Sequence, residues 1–256
     1  MGAFLRGDMD TLSLFRNLSQ RNPGSVVFTS SYLTPLPLDR HSVVADLGCG
    51  LGGRATWVAR SRCCEMHLFD QDTSRLDQAY ARGEEGGSEA LMKLHHVADG
   101  NYRSLNASLN RFDLIMTEGL SFERDPFDHI HAWLPLIKDG GTLALVVPGL
   151  THSEVSTEAK AYLEQRSALE LGTLDVYHEK LAQFDGLKLM HQVTLAQYSW
   201  DEHYQNLGRC IKGLIKSGDM HTQDPLLQSA QEELTWYRQH ARGQVFLQAF
   251  VLSKHG

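Results

Sequence analysis

Cysteine is scarce in this sequence of 256 residues, and the four that occur are poorly placed for cross-links or metal sites. Cys63 and Cys64 are adjacent, Cys49 lies among glycines, and Cys210 is remote from the other three. None of them forms the C-x-x-C pair of a zinc or thioredoxin-like site. The pair His95–His96 offers no common metal centre either, because adjacent residues on a strand point to opposite faces. We therefore expect no disulfide scaffold, no metal site, and free thiols in a reducing compartment.

Long apolar runs and an N-terminal targeting signal are also missing. No stretch of the sequence is long and apolar enough to span a bilayer. The first residues, Met1–Arg6, lack the apolar core of a signal peptide. Arg6 stands where the myristoylation pattern requires Ser or Thr. We predict a cytoplasmic protein with no membrane partner.

Positive charge is in deficit, since 24 Lys and Arg residues stand against 31 Asp and Glu, a formal net charge of −7. A net negative surface argues against nucleic acid as a partner. With 42% hydrophobic and 21% charged residues, the composition is ordinary for a globular protein, and the chain can bury the core of one α/β domain. Whether the protein is a monomer or a homodimer is left open by the sequence.

Strand-like and helix-like patterns alternate from residue 43 onward, which predicts βαβ units and a parallel sheet. The predicted strands cover residues 43–47, 65–70, 94–100, 112–117, 142–147, 187–195 and 245–252. The predicted helices cover about 53–60, 74–82, 129–137, 153–169 and 174–184, with turns at 83–87 and 138–141 and a stop at Pro148 and Gly149. A further helical insertion is predicted over about 201–241.

This pattern predicts one domain over residues 1–256 with a Rossmann-like, doubly wound sheet. Residues 1–40 form a helical cap, 41–149 the ligand-binding core, and 150–256 the C-terminal half of the sheet with its helical insertion. The last strand follows strand six and a long insertion, and we predict that it forms an antiparallel hairpin at the sheet edge, whereas the rest of the sheet is mostly parallel.

A glycine-rich turn follows the first strand and opens the next helix. Its residues are Asp46, Gly48, Cys49, Gly50 and Gly52. Such glycines allow positive φ and close approach of the backbone to a ligand, and the helix N-terminus offers unpaired N–H groups. A carboxylate at Asp46 repels a pyrophosphate and attracts a ligand that carries an ammonium and a sulfonium.

Acids also close the next three strands, at Asp70, Asp99 and Glu118. The carboxyl ends of parallel strands form the ligand-binding edge of an open sheet. Asp70 stands about 20 residues after the glycines, where a carboxylate accepts both ribose hydroxyls. Asp99 with Gly100 is placed to contact an adenine, and Asp46 to hold an amino-acid end. Gln71 and Thr117, beside two of these acids, complete the predicted cofactor site.

The acid-x-Gly-x-Gly-x-Gly run that begins at Asp46 resembles motif I of the class I S-adenosylmethionine (SAM) methyltransferases. Residues 112–119, Phe-Asp-Leu-Ile-Met-Thr-Glu-Gly, resemble the "FDLIxSEG" strand of their UbiE-like, small-molecule branch, with Thr117 in place of serine. Residues 22–25 resemble its "GPGS" element, with Asn22 in place of the first glycine, and residues 199–204 its "W-x-x-Y" segment. Residues 231–246 are similar to its terminal helix and hairpin.

The resemblance implies a SAM-dependent methyltransferase that passes a methyl group to a small-molecule acceptor by in-line SN2 transfer and releases S-adenosyl-L-homocysteine. Glu118 and His203 are the candidate catalytic residues. Tyr32, Tyr198, Trp200 and Tyr204 are candidates for the lining of the acceptor pocket. No Asn/Asp-Pro-Pro-Tyr/Phe follows the fourth strand, which disfavours methylation of a nucleobase or a glutamine amide.

Two other functions stay open at this point. Gly48-x-Gly50-x-x-Gly53 also satisfies the dinucleotide fingerprint, which favours an NAD(P)-dependent oxidoreductase. A protein of the same fold can also bind SAM without catalysis, because function depends on the site rather than on the fold. The sequence leaves undetermined which acceptor is used, and whether O, N, C or S is methylated.

Overall fold

The computed structural model describes residues 23–24, 26–98, 101–102, 105, 111–118, 125–161, 171–219, 221 and 223–255. The strands are β1 (Val43–Leu47), β2 (Glu65–Asp70), β3 (Met92–His96), β4 (Phe112–Met116), β5 (Ile137–Leu150), β6 (Leu187–Thr194) and β7 (Val245–Lys254). The helices are α1 (Val26–Leu33), α2 (Gly53–Arg62), α3 (Thr73–Gly86), α4 (Ile130–Trp133), α5 (Leu174–Leu181), α6 (Gln197–Ser217) and α7 (Pro225–Trp236). Short 3-10 turns precede β3 and flank α4, and a π-helical turn, Tyr237–Ala241, follows α7.

The strands form one seven-stranded sheet in the order β3-β2-β1-β4-β5-β7-β6. The pairs from β3 to β5 are parallel, and β7 is antiparallel to both β5 and β6. The predicted doubly wound, mostly parallel sheet with an antiparallel last strand is confirmed. The predicted antiparallel hairpin at the sheet edge is confirmed as well, with β7 paired to β5 and β6 forming the edge itself.

The third strand and the helix before it have different bounds from those predicted. Helix α3 continues through most of the predicted turn and ends at Gly86. Gly87 caps it, with a left-handed φ of 64° and an N–H directed at the carbonyls of Gly83 and Glu84. A Cβ on Gly83 would lie 2.6 Å from the sulfur of Met92, so this glycine lets the start of β3 pack against the helix. Strand β3 accordingly begins at Met92 and ends at His96.

Strand β5 is longer at both ends than the sequence predicts. The glycines at 140 and 141, predicted as a turn, lie in an irregularity of the strand, where the register against β4 shifts. Pro148 does not stop the strand. The described pairing with β4 ends at Ala144, and Pro148 pairs with Leu247 of β7, so the proline lies where β7 is the neighbouring strand among the described residues.

Helices occur where the sequence predicts them, but their lengths differ from the prediction. The predicted helix over 129–137 is the single turn α4 between 3-10 turns, and α5 ends at Leu181 rather than near 184. Of the predicted helix over 153–169, residues 157–161 are helical and 162–170 lie outside the described residues. None of the helices in the described part of the chain combines the length and apolar character needed to cross a bilayer.

The helical insertion begins at Gln197 and comprises α6, α7 and the π-helical turn. It leaves the sheet after Thr194, the carboxyl end of β6, and returns at Val245, which pairs with Leu150 at the carboxyl end of β5. Both ends of the insertion therefore lie at the edge of the sheet where the parallel strands finish, which is also the edge of the glycine turn.

Candidate functional site

The glycine turn after β1 has the backbone conformation that the sequence predicts. Gly48, Gly50 and Gly52 have φ values of 69°, 56° and 73°, all in the left-handed region that favours glycine. A Cβ on Gly52 would lie 2.6 Å from the Cβ of Ala79, so the turn packs directly on α3. A Cβ on Gly50 would meet no atom of the described residues within 4 Å, its chain neighbours aside. The turn is thus closed toward α3 and open beside Gly50.

Asp70, at the end of β2, lies beside this turn. Its Oδ2 accepts a hydrogen bond from the Gly50 N–H at 2.9 Å, and its Oδ1 accepts one from the Asp72 N–H at 3.0 Å. Arg75 stands 3.8 Å from the same Oδ1. The side chain is nearly fully buried, which holds a carboxylate against the backbone of the glycine turn. Gln71 follows at the edge, and its carbonyl is within 3.1 Å of His96 Nε2.

Asp46 does not present a free carboxylate. Its Oδ1 lies 3.2 Å from Nη2 of Arg54, which stands in the first turn of α2 and also donates to the Gly48 carbonyl at 3.2 Å. Burial raises the pKa of Asp46 to about 6, and the Arg54 charge opposes that rise. Oδ2 of Asp46 and Nε of Arg54 are buried and have no hydrogen-bond partner among the described residues. Arg54 was not predicted as a site residue, although it directly follows Gly53 in the sequence.

Glu118, just past β4, is held by helix α1. The hydroxyls of Thr29 and Tyr32 each donate to its Oε2 at 2.6 Å. The other oxygen, Oε1, is buried and has no partner in the part of the chain that the structure describes. Burial, with the Glu118 charge as the second cause, raises the pKa of Tyr32 well above its ordinary value, so Tyr32 stays a hydrogen-bond donor. Thr29 was also missed, since nothing in the local sequence pairs it with a residue 89 positions away.

Thr117 and Cys49, two further predicted cofactor residues, make contacts within the sheet and the glycine turn. Thr117 bridges β4 and β5, because its N–H donates to the Ala144 carbonyl at 3.2 Å and its Oγ1 accepts from the Val146 N–H at 3.0 Å. The Cys49 side chain is buried in the turn, and that burial raises the pKa of its thiol. Asp99 and Gly100 lie outside the described residues.

The aromatic residues of the insertion form a packed stack on α6. The rings of Tyr204 and Tyr237 are stacked with centroids 3.9 Å apart, and Trp200 is parallel to both. His203 is buried beside Tyr204, and that burial lowers its pKa to about 4, so its ring is neutral at neutral pH. Tyr198 does not join the stack, since 66% of its surface is exposed. Tyr204 is also bound through its hydroxyl to a glutamate of α7, so it contributes to the helix packing.

A network at the base of the insertion was not predicted. Asp201 accepts two hydrogen bonds from Arg242, at 2.8 and 2.9 Å, and one from the Tyr237 hydroxyl at 2.7 Å. Together these bonds lower the pKa of Asp201. They tie the start of α6 to the end of the π-helical turn, beside a surface cavity of about 200 Å³. This cavity lies within the insertion and not at the glycine turn.

Comparison with known proteins identifies the fold. No protein-family model matches the chain. The glycine/sarcosine/dimethylglycine N-methyltransferase of Actinopolyspora halophila is 24% identical over 156 residues, which cover 60% of this chain and 27% of that protein. The chain thus matches only about a quarter of the length of this curated relative.

Solved structures match over almost the whole chain. The SAM-dependent methyltransferase from Geobacter sulfurreducens, in complex with S-adenosyl-L-homocysteine, has a TM-score of 0.79 at 17% identity, with 98% of this chain and 100% of that chain covered. The one from Thiobacillus denitrificans, with the same ligand, has a TM-score of 0.75 at 18% identity and the same coverage. The [4+2]-cyclase SpnF has a TM-score of 0.73 at 16% identity, covering 96% and 94%. The chain therefore has the fold of SAM-dependent methyltransferases, a fold that one cyclase shares.

Proposed function

We propose that the chain is a SAM-dependent methyltransferase, which passes the sulfonium methyl to a small-molecule acceptor and releases S-adenosyl-L-homocysteine. One observation carries the proposal. Asp46 and Arg54 form a buried ion pair beside the glycine turn. Oδ2 of Asp46, an acceptor, and Nε of Arg54, a donor, have no hydrogen-bond partner among the described residues. The amino-acid end of SAM supplies an ammonium that donates and a carboxylate that accepts. Such a zwitterion satisfies both atoms, and buried polar atoms without partners are costly.

The rest of the cofactor site follows from the geometry of the same edge. Asp70 would accept the ribose hydroxyls, because its carboxylate already lies against the turn and retains acceptor capacity. The backbone at Gly50 leaves room for close approach. The proposed cofactor residues are Asp46, Gly48, Cys49, Gly50, Gly52, Arg54, Asp70, Gln71, Asp99, Gly100, Thr117 and Glu118.

The electrostatics at this edge suit a sulfonium. Two buried carboxyl groups, those of Asp46 and Glu118, stand with a single guanidinium, that of Arg54, and their charges act on one another. With both carboxyls ionised, this group carries one net negative charge, which attracts a cationic ligand in a poorly solvated site. A pyrophosphate would be repelled, so the NAD(P) alternative is disfavoured.

When bound, SAM supplies an activated methyl group, so the protein's task is alignment and the exclusion of water. Helix α1 does part of this, because Thr29 and Tyr32 close over Glu118 at the carboxyl end of β4. The insertion begins and ends at the same edge and would cover the rest. Its buried Trp200 and His203 are proposed to line the acceptor pocket with Tyr32 and Tyr204.

The similar proteins support this function without deciding the acceptor. Two structural neighbours are methyltransferases in complex with S-adenosyl-L-homocysteine, and the curated relative is an N-methyltransferase. Membership of the UbiE-like branch is proposed from the motifs alone. The cyclase among the neighbours favours a second candidate function, in which the site binds SAM or a related ligand without methyl transfer.

Isothermal titration with SAM, S-adenosyl-L-homocysteine and NADH tests the proposal. We expect the first two to bind and NADH not to bind. Binding of NADH alone would overturn the proposal in favour of an oxidoreductase. Transfer of labelled methyl from SAM to a metabolite extract then separates a methyltransferase from a protein that only binds SAM.

A further inference from the structure

We propose that the methyl acceptor is an amine, and that Glu118 receives an N–H group of that amine through its Oε1 atom. The inference rests on the proposed methyltransferase function and adds the class of substrate. It also gives Glu118 a catalytic role in contact with the acceptor, and it gives Thr29 and Tyr32 the role of positioning residues.

The two carboxylate oxygens of Glu118 differ in the hydrogen bonds that they accept. Oε2 accepts two short hydrogen bonds, both from hydroxyls of α1. Oε1 is also buried, and it accepts none within the described ranges of the chain. Leaving a buried carboxylate oxygen without a donor costs free energy, more than for a neutral group. A ligand that brings a donor to Oε1 recovers this cost, so the site selects acceptors with an N–H or O–H.

The carboxylate of Glu118 is held in one orientation. The Tyr32 ring that donates to it packs edge-on against Phe28, with centroids 5.5 Å apart. The backbone carbonyl of Tyr32 accepts a hydrogen bond from His191 Nε2 of β6 at 2.9 Å. The hydroxyl that positions Glu118 is therefore anchored to the sheet through a second strand. Preorganised groups of this kind lose little entropy when the substrate binds.

The charges favour nitrogen over oxygen as the attacked atom. The amine enters as its free base, having lost its ammonium proton to solvent before it binds. Its nitrogen lone pair forms the new N–C bond while the C–S bond breaks and leaves its electron pair on sulfur. The positive charge of the sulfonium thereby passes to the methylated nitrogen, which keeps an N–H beside Glu118 and loses its proton to solvent after release. A hydroxyl acceptor would instead have to give up its proton in the site. An amine that enters as the free base needs no base in the site, so Glu118 can keep the acceptor role that its two O–H donors fit.

Methyl-labelled SAM tests the inference when it is offered with two panels of small acceptors. One panel contains glycine, sarcosine and ethanolamine, each of which carries an N–H as the free amine, and the other contains phenol, glycerol and 2-mercaptoethanol. We expect label on nitrogen only. Glu118→Gln should lower kcat/KM for the amine by about 10- to 150-fold, the range for a hydrogen bond to a charged group, and this loss should exceed any loss of affinity for SAM.

Two further variants keep the test decisive. Tyr32→Phe leaves Glu118 in place but removes one of its donors, and it should raise KM for the amine more than it lowers kcat. Glu202→Gln removes an exposed carboxylate of α6 and serves as the matched charge control.

The outcomes separate this inference from the proposed function. Label on oxygen or sulfur, or no label on either panel while SAM binds, would overturn the amine assignment and leave SAM binding intact. A loss of SAM affinity in Glu118→Gln as large as the loss of turnover would assign Oε1 to the cofactor. Failure of the wild-type protein to bind SAM would instead refute the proposed function.

Discussion

Arg54 and Asp46 form an ion pair across the glycine turn, with Nη2 3.2 Å from Oδ1 and both side chains almost completely buried. The pair joins the first turn of α2 to the end of β1. The same guanidinium nitrogen also donates to the Gly48 carbonyl, so one arginine holds both the acid and the turn. The pair therefore stabilises the turn and shapes the proposed binding site for the amino-acid end of SAM.

Replacement of Arg54 by Met should lower both stability and SAM binding. Removal of one partner leaves an uncompensated buried charge, which costs about 3–5 kcal/mol. The double variant Arg54→Met, Asp46→Asn should recover part of this loss but should not recover SAM affinity. Urea unfolding and titration calorimetry measure the two effects. Equal stability of the single and double variants would show that the two groups do not interact.

The Kd for SAM should depend on pH through Asp46. Its pKa is raised to about 6, so the carboxyl is ionised above that pH and protonated below it. Because an ammonium needs the ionised form, the Kd should rise by up to about tenfold for each pH unit below 6. Asp46→Asn should bind more weakly and lose this dependence between pH 5 and about 7. A wild-type Kd that is constant over this range would exclude Asp46 from the site.

The same carboxyl has an opposite effect on folding. Its folded-state pKa lies above the ordinary 3.8, so the folded chain retains a proton that the unfolded chain has released. Between about pH 4 and 6, the contribution of Asp46 to stability should therefore fall as pH rises. The pH at which SAM binds best is thus one at which this carboxyl destabilises the free protein.

Asp70→Ala should weaken SAM binding about tenfold or more, because ribose hydroxyls would lose a charged acceptor worth about 1.5–3 kcal/mol. The Gly50 N–H would lose its partner as well, which adds a small loss of stability. Asp77→Ala, an exposed acid on α3, is the control and should leave the Kd unchanged. Wild-type affinity in the folded Asp70 variant would remove this residue from the site.

Gly50 and Gly52 should respond differently to alanine. At Gly50 the added Cβ meets no atom of the described residues beyond its chain neighbours, so the cost is the strain of a left-handed φ, about 1 kcal/mol, and the greater loss should be in SAM affinity. At Gly52 the Cβ would overlap the Cβ and Cα of Ala79, at 2.6 and 2.7 Å. Thermal unfolding should show a much larger loss for Gly52→Ala. The reverse order of stabilities would contradict the packing of the turn on α3.

Trp200→Phe separates the acceptor pocket from simple packing. The variant keeps an aromatic ring in the stack but removes Nε1, which is buried and has no partner among the residues described. If the acceptor uses this N–H, KM should rise about tenfold with little change in the unfolding free energy or in the Kd for SAM. Adding His203→Ala should reduce kcat/KM further. Unchanged kinetics in the double variant would make these residues part of the core alone.

The parts of the fold that depend on short stretches of sequence were predictable. The bounds of β1 and β2 agree with the structure, because each is a short apolar run that ends in an acid beside a turn or a helix start. The glycine turn, too, could be predicted from three alternating glycines. The bounds of elements that depend on tertiary contacts could not be predicted. Strand β5 continues through Pro148 because β7 pairs with it as far as Leu150, beyond the last described pair with β4 at Ala144.

The sequence could predict which acids lie at the ends of the strands, but not which side chains contact them. Asp46, Asp70 and Glu118 follow from the rule that ligands bind where parallel strands finish. Their partners Arg54, Thr29 and Tyr32 depend on side-chain directions and on where α1 docks. Tyr32 was proposed for the acceptor pocket from its aromatic character, yet its bond to Glu118 spans 86 residues and has no signature in either segment.

The order of strands has a consequence for synthesis on the ribosome. Among the described strands, β6 joins the sheet only through β7, which is made after it. Until β7 has been made and has paired with β5, β6 has no neighbour in the described sheet, and the two insertion helices that follow it have no settled position. The glycine turn and its acids, in contrast, lie on strands made much earlier. A nascent chain should therefore acquire the ability to bind its cofactor before it can enclose an acceptor.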